Sequence, residues 1–475
     1  MSINKIFTNS LLASHGKSIR TAPREVIFNR SWILSALPYA FSAIPATWDQ
    51  GSASVIPSLP GFQKHFGIRS GADAKEIRNF VLIVYVGHAA GAALSFFVND
   101  RIGRLWSFHL YTFIWTVGQL VGAFAPGLPG LYASRIISGL GIGALTVTGL
   151  MSIVEIAPTE IRGLLTAWFL VAMGLSLVSS VFCVYGVFLY ILPSRLQYQT
   201  VFFSPCIFMF GCNIGSFRAC ESPRWLILVD RREEATISLA RLHGMPADHL
   251  RVQGELCDIE ISINKSRMES GDSLLGVMRE TFLVPSNLRR VQQTLVSYAL
   301  AQLSGANSVT LYFVPILMLM GAGGGTTRNL FLTGMYGMSN FFFFCLIASF
   351  FFIDALGRRK SLFVGIALQM LSDVFIGVYT KYKQEGSVPQ ASSQAAIAAK
   401  FIHAFGYAGA FLFFAGWCFI SLLYVYPMVP EVAGLSVEQI DSIFEGHWFN
   451  ARQRVKQVQL IDTVESAEDG CDKTS

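Results

Sequence analysis

Unbroken apolar runs of about 20 residues recur along this chain, and a run of that length crosses the ~30 Å hydrocarbon core of a bilayer as a helix. They fall near 33–57, 78–98, 106–126, 130–154, 163–190, 200–219, 293–320, 329–353, 361–380 and 397–428. A backbone in lipid has to satisfy its own N–H and C=O groups, so such runs fold as helices and not as open strands. The chain is 52% hydrophobic and only 14% charged, with a mean hydropathy of +0.49. An ordinary soluble domain carries about a quarter charged residues. The expected fold class is an all-α polytopic membrane protein.

The polar segments between the runs set its expected topology. Lys and Arg accumulate on the cytoplasmic side of a membrane. Arg101 with Arg104, the cluster Arg358-Arg359-Lys360 and the basic stretch 221–292 all fall on one side if the N-terminus is inside. The first 30 residues are polar and basic, and the apolar run after them is too long for a signal-peptide core. The organisation expected is a cytoplasmic tail over 1–32, a six-helix bundle over 33–220 and a cytoplasmic helical linker over 221–292. A second bundle over 293–430 and a cytoplasmic tail over 431–475 complete it. Both termini are expected in the cytoplasm, with the plasma membrane as the host. The net charge of +6 is spread between apolar runs and forms no basic stripe, so nucleic acid is not an expected partner. The cysteines show no CxxC spacing and read as small apolar fillers, so neither a metal nor another cofactor is expected. No nucleophile–base constellation stands in the loops, and an enzyme is not expected.

Two loops repeat one pattern. Asp100-Arg101-Ile102-Gly103-Arg104 follows the second run, and Asp354-Ala355-Leu356-Gly357-Arg358 follows the second run of the later half. Gly permits the bend, and Asp and Arg can cap facing helix ends. Recurrence at matching places signals a parallel internal repeat of the kind transporters use. Further motifs are Arg135-x-x-x-Gly139-x-Gly141-x-Gly143, Glu155-x-x-Pro158-x-x-x-Arg162-Gly163 and Glu221-Ser222-Pro223-Arg224-Trp225-Leu226. Gln302, Gly305 and Asn307 form another, as do Pro430-Glu431 with Gly434-Leu435-Ser436 and Glu438.

Over about residues 35 to 445 these motifs together resemble the sugar porter family of the major facilitator superfamily, its fungal members in particular. The resemblance implies a major facilitator fold and carriage of a sugar or sugar-like solute across a lipid bilayer, with a proton as co-substrate, by alternating access. Leu170 stands where the family usually offers a sugar-binding glutamine, and Leu105 where a second basic residue is usual. The later half is short. From Asp100 to Glu221 is 121 positions and from Asp354 to Glu431 is 77, a shortfall of 44, or about two helices. The chain is therefore expected to hold about ten helices, six and four instead of twelve, with most of helix 10 and all of helix 11 lost at a join near Ala408–Gly409. A transporter so shortened could be inactive or regulatory, or a transporter-like nutrient sensor.

Ionisable residues at bilayer depth are functional suspects. Those here are Asp49, His88, Arg135, Asp373 and His403. At ~1.5 Å per residue, Asp49 and Arg135 both fall in the outer half of their helices, so they can pair. The resemblance implies proton coupling by this pair; a static pair that fixes helix packing is the alternative. His88 and His403 are expected as packing residues with their polar atoms satisfied, and Asp373 near the outer headgroups. Gln302 and Asn307 suit sugar hydroxyls because an amide donates and accepts at once; Tyr312 and Asn340 are further solute-binding candidates. Gly139 and Gly143 share a face that lets a neighbouring helix come close. Asp100, Arg104, Glu155, Arg162, Glu221, Arg224, Asp354 and Arg358 are expected to form a cytoplasmic gating network.

Overall fold

A computed structural model describes residues 29–68, 74–157, 162–270, 274–303, 325–342, 363–371 and 373–374, with 378 and 421. The described secondary structure is helical throughout. The chain divides into two compact units. The larger comprises Leu11–Ile263 and Thr310–Phe350, and the other comprises Met1–Ser10, Asn264–Val309 and Phe351–Ser475.

In the larger unit the first expected span is two helices, α1 (Arg30–Phe41) and α2 (Ile44–Ala53). The break precedes Pro45, which has no N–H to continue the helical ladder. A short 3-10 turn, Ile56–Ser58, and α3 (Pro60–Phe66) follow. The second span is also interrupted, as α4 (Ala74–Leu82) and α5 (Val84–Ile102), with Ile83 between them. No proline or glycine stands at this break. The long helices α6 (Arg104–Ala123), α7 (Leu128–Ile156), α8 (Arg162–Tyr190) and α9 (Arg195–Ser216) come next. Lys75–Ile102, Leu128–Ile156 and Leu165–Tyr190 are each long and apolar enough to cross a membrane.

α7 is the hub, packed along both α5 and α6. Its small residues make this possible. A Cβ on Gly139 would run into the Val84 carbonyl, and one on Gly143 into the carbonyl of His88. In lipid, where there is no hydrophobic drive between helices, such close backbone approach supplies the packing energy. Side chains facing away from the bundle include Val86, Phe96, Trp106, Phe113, Ile207 and Phe210. In water this surface would be an aggregation liability, whereas lipid is its natural solvent.

One core cluster joins Trp32, Tyr39, Phe108, Tyr111, Trp115, Ile142 and Phe169. A second, toward the α3 end, joins Phe62, Phe66, Phe80, Tyr198 and Phe202. Gln197 staples α3 to this end, accepting from Gly61 N (2.9 Å) and donating to the Ile191 carbonyl (2.8 Å). At the opposite end α10 (Pro223–Leu228), α11 (Arg232–His243) and α12 (Leu250–Ser270) form a small helical cap around Trp225, Leu239, Val252 and Leu256. Asn29 ties α1 to this cap. Its Oδ1 accepts from Ser31 N (3.0 Å) at the start of α1, and its Nδ2 donates to the carbonyls of Arg241 (2.7 Å) and Leu242 (2.9 Å) at the end of α11. In the other unit α13 (Leu274–Leu283) packs on α14 (Pro285–Leu303). α15 (Gly325–Asn340) belongs to the larger unit, where it lies along α8, with Gly334 against Phe182 and Leu330 inside the second cluster.

Candidate functional site: a buried ion pair and a charged latch

Asp49, on α2, and Arg135, on α7, meet inside the bundle. Their side chains are only 7% and 2% exposed. The guanidinium grips the carboxylate with two hydrogen bonds, Nη1 to Oδ1 and Nη2 to Oδ2, the second at 2.9 Å. A fork-to-fork pair of this kind is among the stronger polar contacts a protein makes. Helix-bundle backbone supplies a third acceptor: Arg135 Nε donates to the Phe80 carbonyl at 3.0 Å, and the guanidinium carbon lies 4.6 Å from the centre of the Phe80 ring. Phe80 is available because of the break at Ile83. The bonds that bridge it run from Ile83 N to the Asn79 carbonyl and from Val86 N to the Ile83 carbonyl. None runs from Val84 N to Phe80, the bond an unbroken helix would make. The loss of one turn of ladder therefore leaves a carbonyl free for arginine.

Buried charge of this sort is stable only while both partners are ionised. Removal of one partner strands the other at a cost of about 3–5 kcal/mol. Protonation of Asp49 has the same effect on Arg135 without any mutation. The pair can thus act as a switch thrown by one proton.

The second constellation lies where α5 turns into α6. Gly103 has φ +92°, and a Cβ there would stand 2.7 Å from Glu221 Oε2. Glycine is required on both counts. Arg104 opens α6 and binds Glu155 through Nε (2.9 Å) and Nη2 (3.0 Å), Asp100 through Nη1 (2.8 Å), and the Asn99 carbonyl (3.2 Å). Glu221 caps α6, accepting from Arg104 N (2.9 Å) and Leu105 N (3.1 Å). Burial pushes its carboxyl above the ordinary carboxylate range, while the N–H groups of Ser222, Leu105 and Arg104 and the Arg104 charge pull it back.

Asp100, Arg104, Glu155 and Glu221 are thus brought together as the sequence predicts. Arg224 is not: it is exposed, and among the described residues it makes no hydrogen bond or ion pair. The α10 geometry explains this. Ser222 and Trp225, three positions apart, share the inward face, and Arg224 falls off it. Those two residues do the joining, and sequence reasoning gave them no role. Ser222 Oγ donates to Glu155 Oε2 (2.6 Å), and Trp225 Nε1 donates to the Asp100 carbonyl at the end of α5 (2.9 Å). Arg162 opens α8. Gln302 is half-buried near the end of α14 and Asn340 is half-buried at the end of α15. Asn307, Tyr312, Asp354, Arg358 and His403 lie outside the described residues. Asp373 is buried, at 1% exposure, with Oδ2 unpartnered among the described residues.

The sequence profile of the family described as "Sugar (and other) transporter" matches residues 35–411. The quinate permease of Emericella nidulans is 24% identical over 502 aligned positions, covering 93% of each chain. The low-affinity glucose transporter HXT1 of Saccharomyces cerevisiae is 29% identical over 336 positions, covering 69% of this chain and 56% of that one. Among solved structures, the proton:xylose symporter XylE bound to 6-bromo-6-deoxy-D-glucose superposes with a TM-score of 0.68 at 20% identity. That match covers 88% of this chain and 100% of the other. XylE from E. coli in a partially occluded inward-open conformation gives 0.66 at 17% identity, over 86% and 100%. At these identities the structural likeness shows the fold, that of the major facilitators. With an all-helical scaffold of that fold and a profile match across most of its length, the chain belongs to the sugar transporter family of the major facilitator superfamily, as an integral membrane transporter and not an enzyme.

Proposed function

We propose that this chain is a solute:proton symporter working by alternating access, with a sugar or a sugar-like hydroxylated acid as its solute. The observation that carries the reading is the buried, doubly bonded Asp49–Arg135 pair. Arg135 holds Asp49 ionised until a proton arrives; neutralisation then releases α2 from α7 and lets the bundles rearrange. The names of relatives, a quinate permease, a glucose transporter and a proton:xylose symporter, support both the solute class and the coupling ion. Gln302, Asn307, Tyr312 and Asn340 are assigned to the solute on the chemistry of amide and phenol groups toward hydroxyls. The Arg104 constellation is assigned to the cytoplasmic side, as a gate that is closed when its charges are paired, with both termini on that side of the plasma membrane. Expression in a transporter-deficient host tests the reading. D49N should abolish uphill accumulation on an inward proton gradient and retain solute exchange; uphill accumulation by D49N sinks it.

A second reading concerns the later half: an internal segment of about two helices is missing, and this form transports weakly or serves regulation. Two observations favour it. The profile match stops at residue 411, beside the join placed near Ala408–Gly409. The quinate permease alignment runs over 502 positions, while 93% of 475 residues is about 442, so about 60 positions have no counterpart in this chain. Sequencing the transcript decides: an extra coding stretch at the join marks a processing variant, and continuous message there marks a chain shortened in the gene.

A further inference from the structure

His88 lies on α5, one turn beyond Val84 and two beyond Phe80, on the side of the broken second span that faces α7. Its backbone is fixed: the His88 carbonyl is the group that a Cβ on Gly143 would strike, and the neighbouring Gly87 packs on Gly139. Its ring is held edge-on to Tyr85, with centroids 5.2 Å apart. Yet Nε2 is buried with no hydrogen-bond partner. An unpaired buried polar atom costs about 1–3 kcal/mol, and native structures keep few of them, often where a group has chemistry to do. A packing residue at this place would have no reason to carry the atom. Among the described residues the charges that act on His88 are Asp49, from α2, and Arg135, from α7. Its own helix adds only Tyr85.

We infer that His88 is a second proton-carrying group of the Asp49–Arg135 site, the step through which a proton reaches the carboxylate. The inference rests on the symport reading above. The lone pair of Nε2 takes a proton from water entering the bundle, giving an imidazolium. That proton passes to the Asp49 carboxylate, directly or across one water, and His88 returns to its neutral form. Asp49 is then a neutral acid. Arg135 loses its ionic partner and keeps only the Phe80 carbonyl on Nε, and this stranded charge is what drives the helices to rearrange. With Asp49 neutral, the Arg135 charge opposes a second proton on His88, so the two groups fill in separate steps and one proton is carried per cycle. Imidazole suits the task because its proton is exchanged close to neutral pH.

The test compares wild type, H88Q, H88N and D49N at matched surface expression, measuring solute uptake against external pH and solute counterflow at equal pH. H88Q and H88N should keep counterflow within about twofold and lose about tenfold or more of proton-driven uptake, the scale of a lost proton-transfer group. Their pH profile should also shift. A structural role for His88 would lower both activities together and leave the profile in place. Wild-type rate and profile in either variant overturn the inference while leaving the symport reading intact. Wild-type uptake indifferent to the proton gradient, with D49N equal to it, removes the symport reading and this inference with it. Should neither His88 variant reach the membrane, proton uptake by purified wild type on solute binding, followed in weak buffer across pH, decides instead. Two titrating steps support the paired site, and a single step refutes it.

Discussion

A methyl group is enough to probe the crossing on which the ion pair depends. Gly143 meets the His88 backbone so closely that a Cβ has nowhere to go, whereas nothing lies within 4 Å of where a Cβ would stand on Gly186. G143A should destabilise the bundle by about 1–3 kcal/mol through overpacking. G186A should be neutral or slightly stabilising, since alanine favours a helix over glycine. Thermal unfolding of the two proteins in detergent separates them, and equal melting temperatures would contradict the packing assigned to α7. The closeness of Gly139 and Gly143 to a neighbouring helix was legible in the sequence, because small residues four apart share a face. So were Asp49 and Arg135, which stand out as charges in apolar runs. Phe80 was not, and His88 stood only among the ionisable suspects. Phe80 contributes a backbone carbonyl, which every residue possesses, and His88 differs from a satisfied packing histidine only in what surrounds Nε2.

Helix ends and breaks divide in the same way. The sequence reads 33–57 as one span. Pro45, which has no N–H to continue the ladder, accounts for the break between α1 and α2, while Pro38 is accommodated inside α1. The break at Ile83 has no local breaker in the sequence, and the Phe80 carbonyl it frees is taken by an arginine 55 positions away. The start of α6 is likewise capped from afar, by Glu221 across 117 positions. That cap carries a pH signature. A carboxyl raised on folding binds its proton more tightly in the folded chain. The stability it contributes is fully present below the unfolded value near 4.5 and is lost as pH rises through the higher folded value. Thermal unfolding should show this loss across that window, and E221Q, with no proton to give up, should flatten it. An unchanged slope in E221Q would assign the pH dependence to another group. Arg224 is exposed, and among the described residues the inward face of α10 belongs to Ser222 and Trp225.

Across the chain, the helical class and the polar cap between the two apolar halves were readable from run length and charge, because lipid leaves a backbone so few options. Which helices pack on which was not, since lipid-facing and partner-facing apolar residues look alike in sequence. If the later half lacks two helices, a matched chain with the segment restored should raise solute uptake by about tenfold or more, because binding energy is spent only in a properly formed cavity. Equal uptake by the two chains would show that the segment is dispensable. The clamp made by Asn29 bears on how any such chain is made. The carbonyls it holds belong to residues 212 and 213 positions later. At about 5–20 residues per second of synthesis, the first helix waits about 10–40 seconds for that fastening. During this interval its leading end is anchored by nothing that α11 provides, and the ribosome, the translocon or a chaperone must tend it until the partner strand of polypeptide emerges.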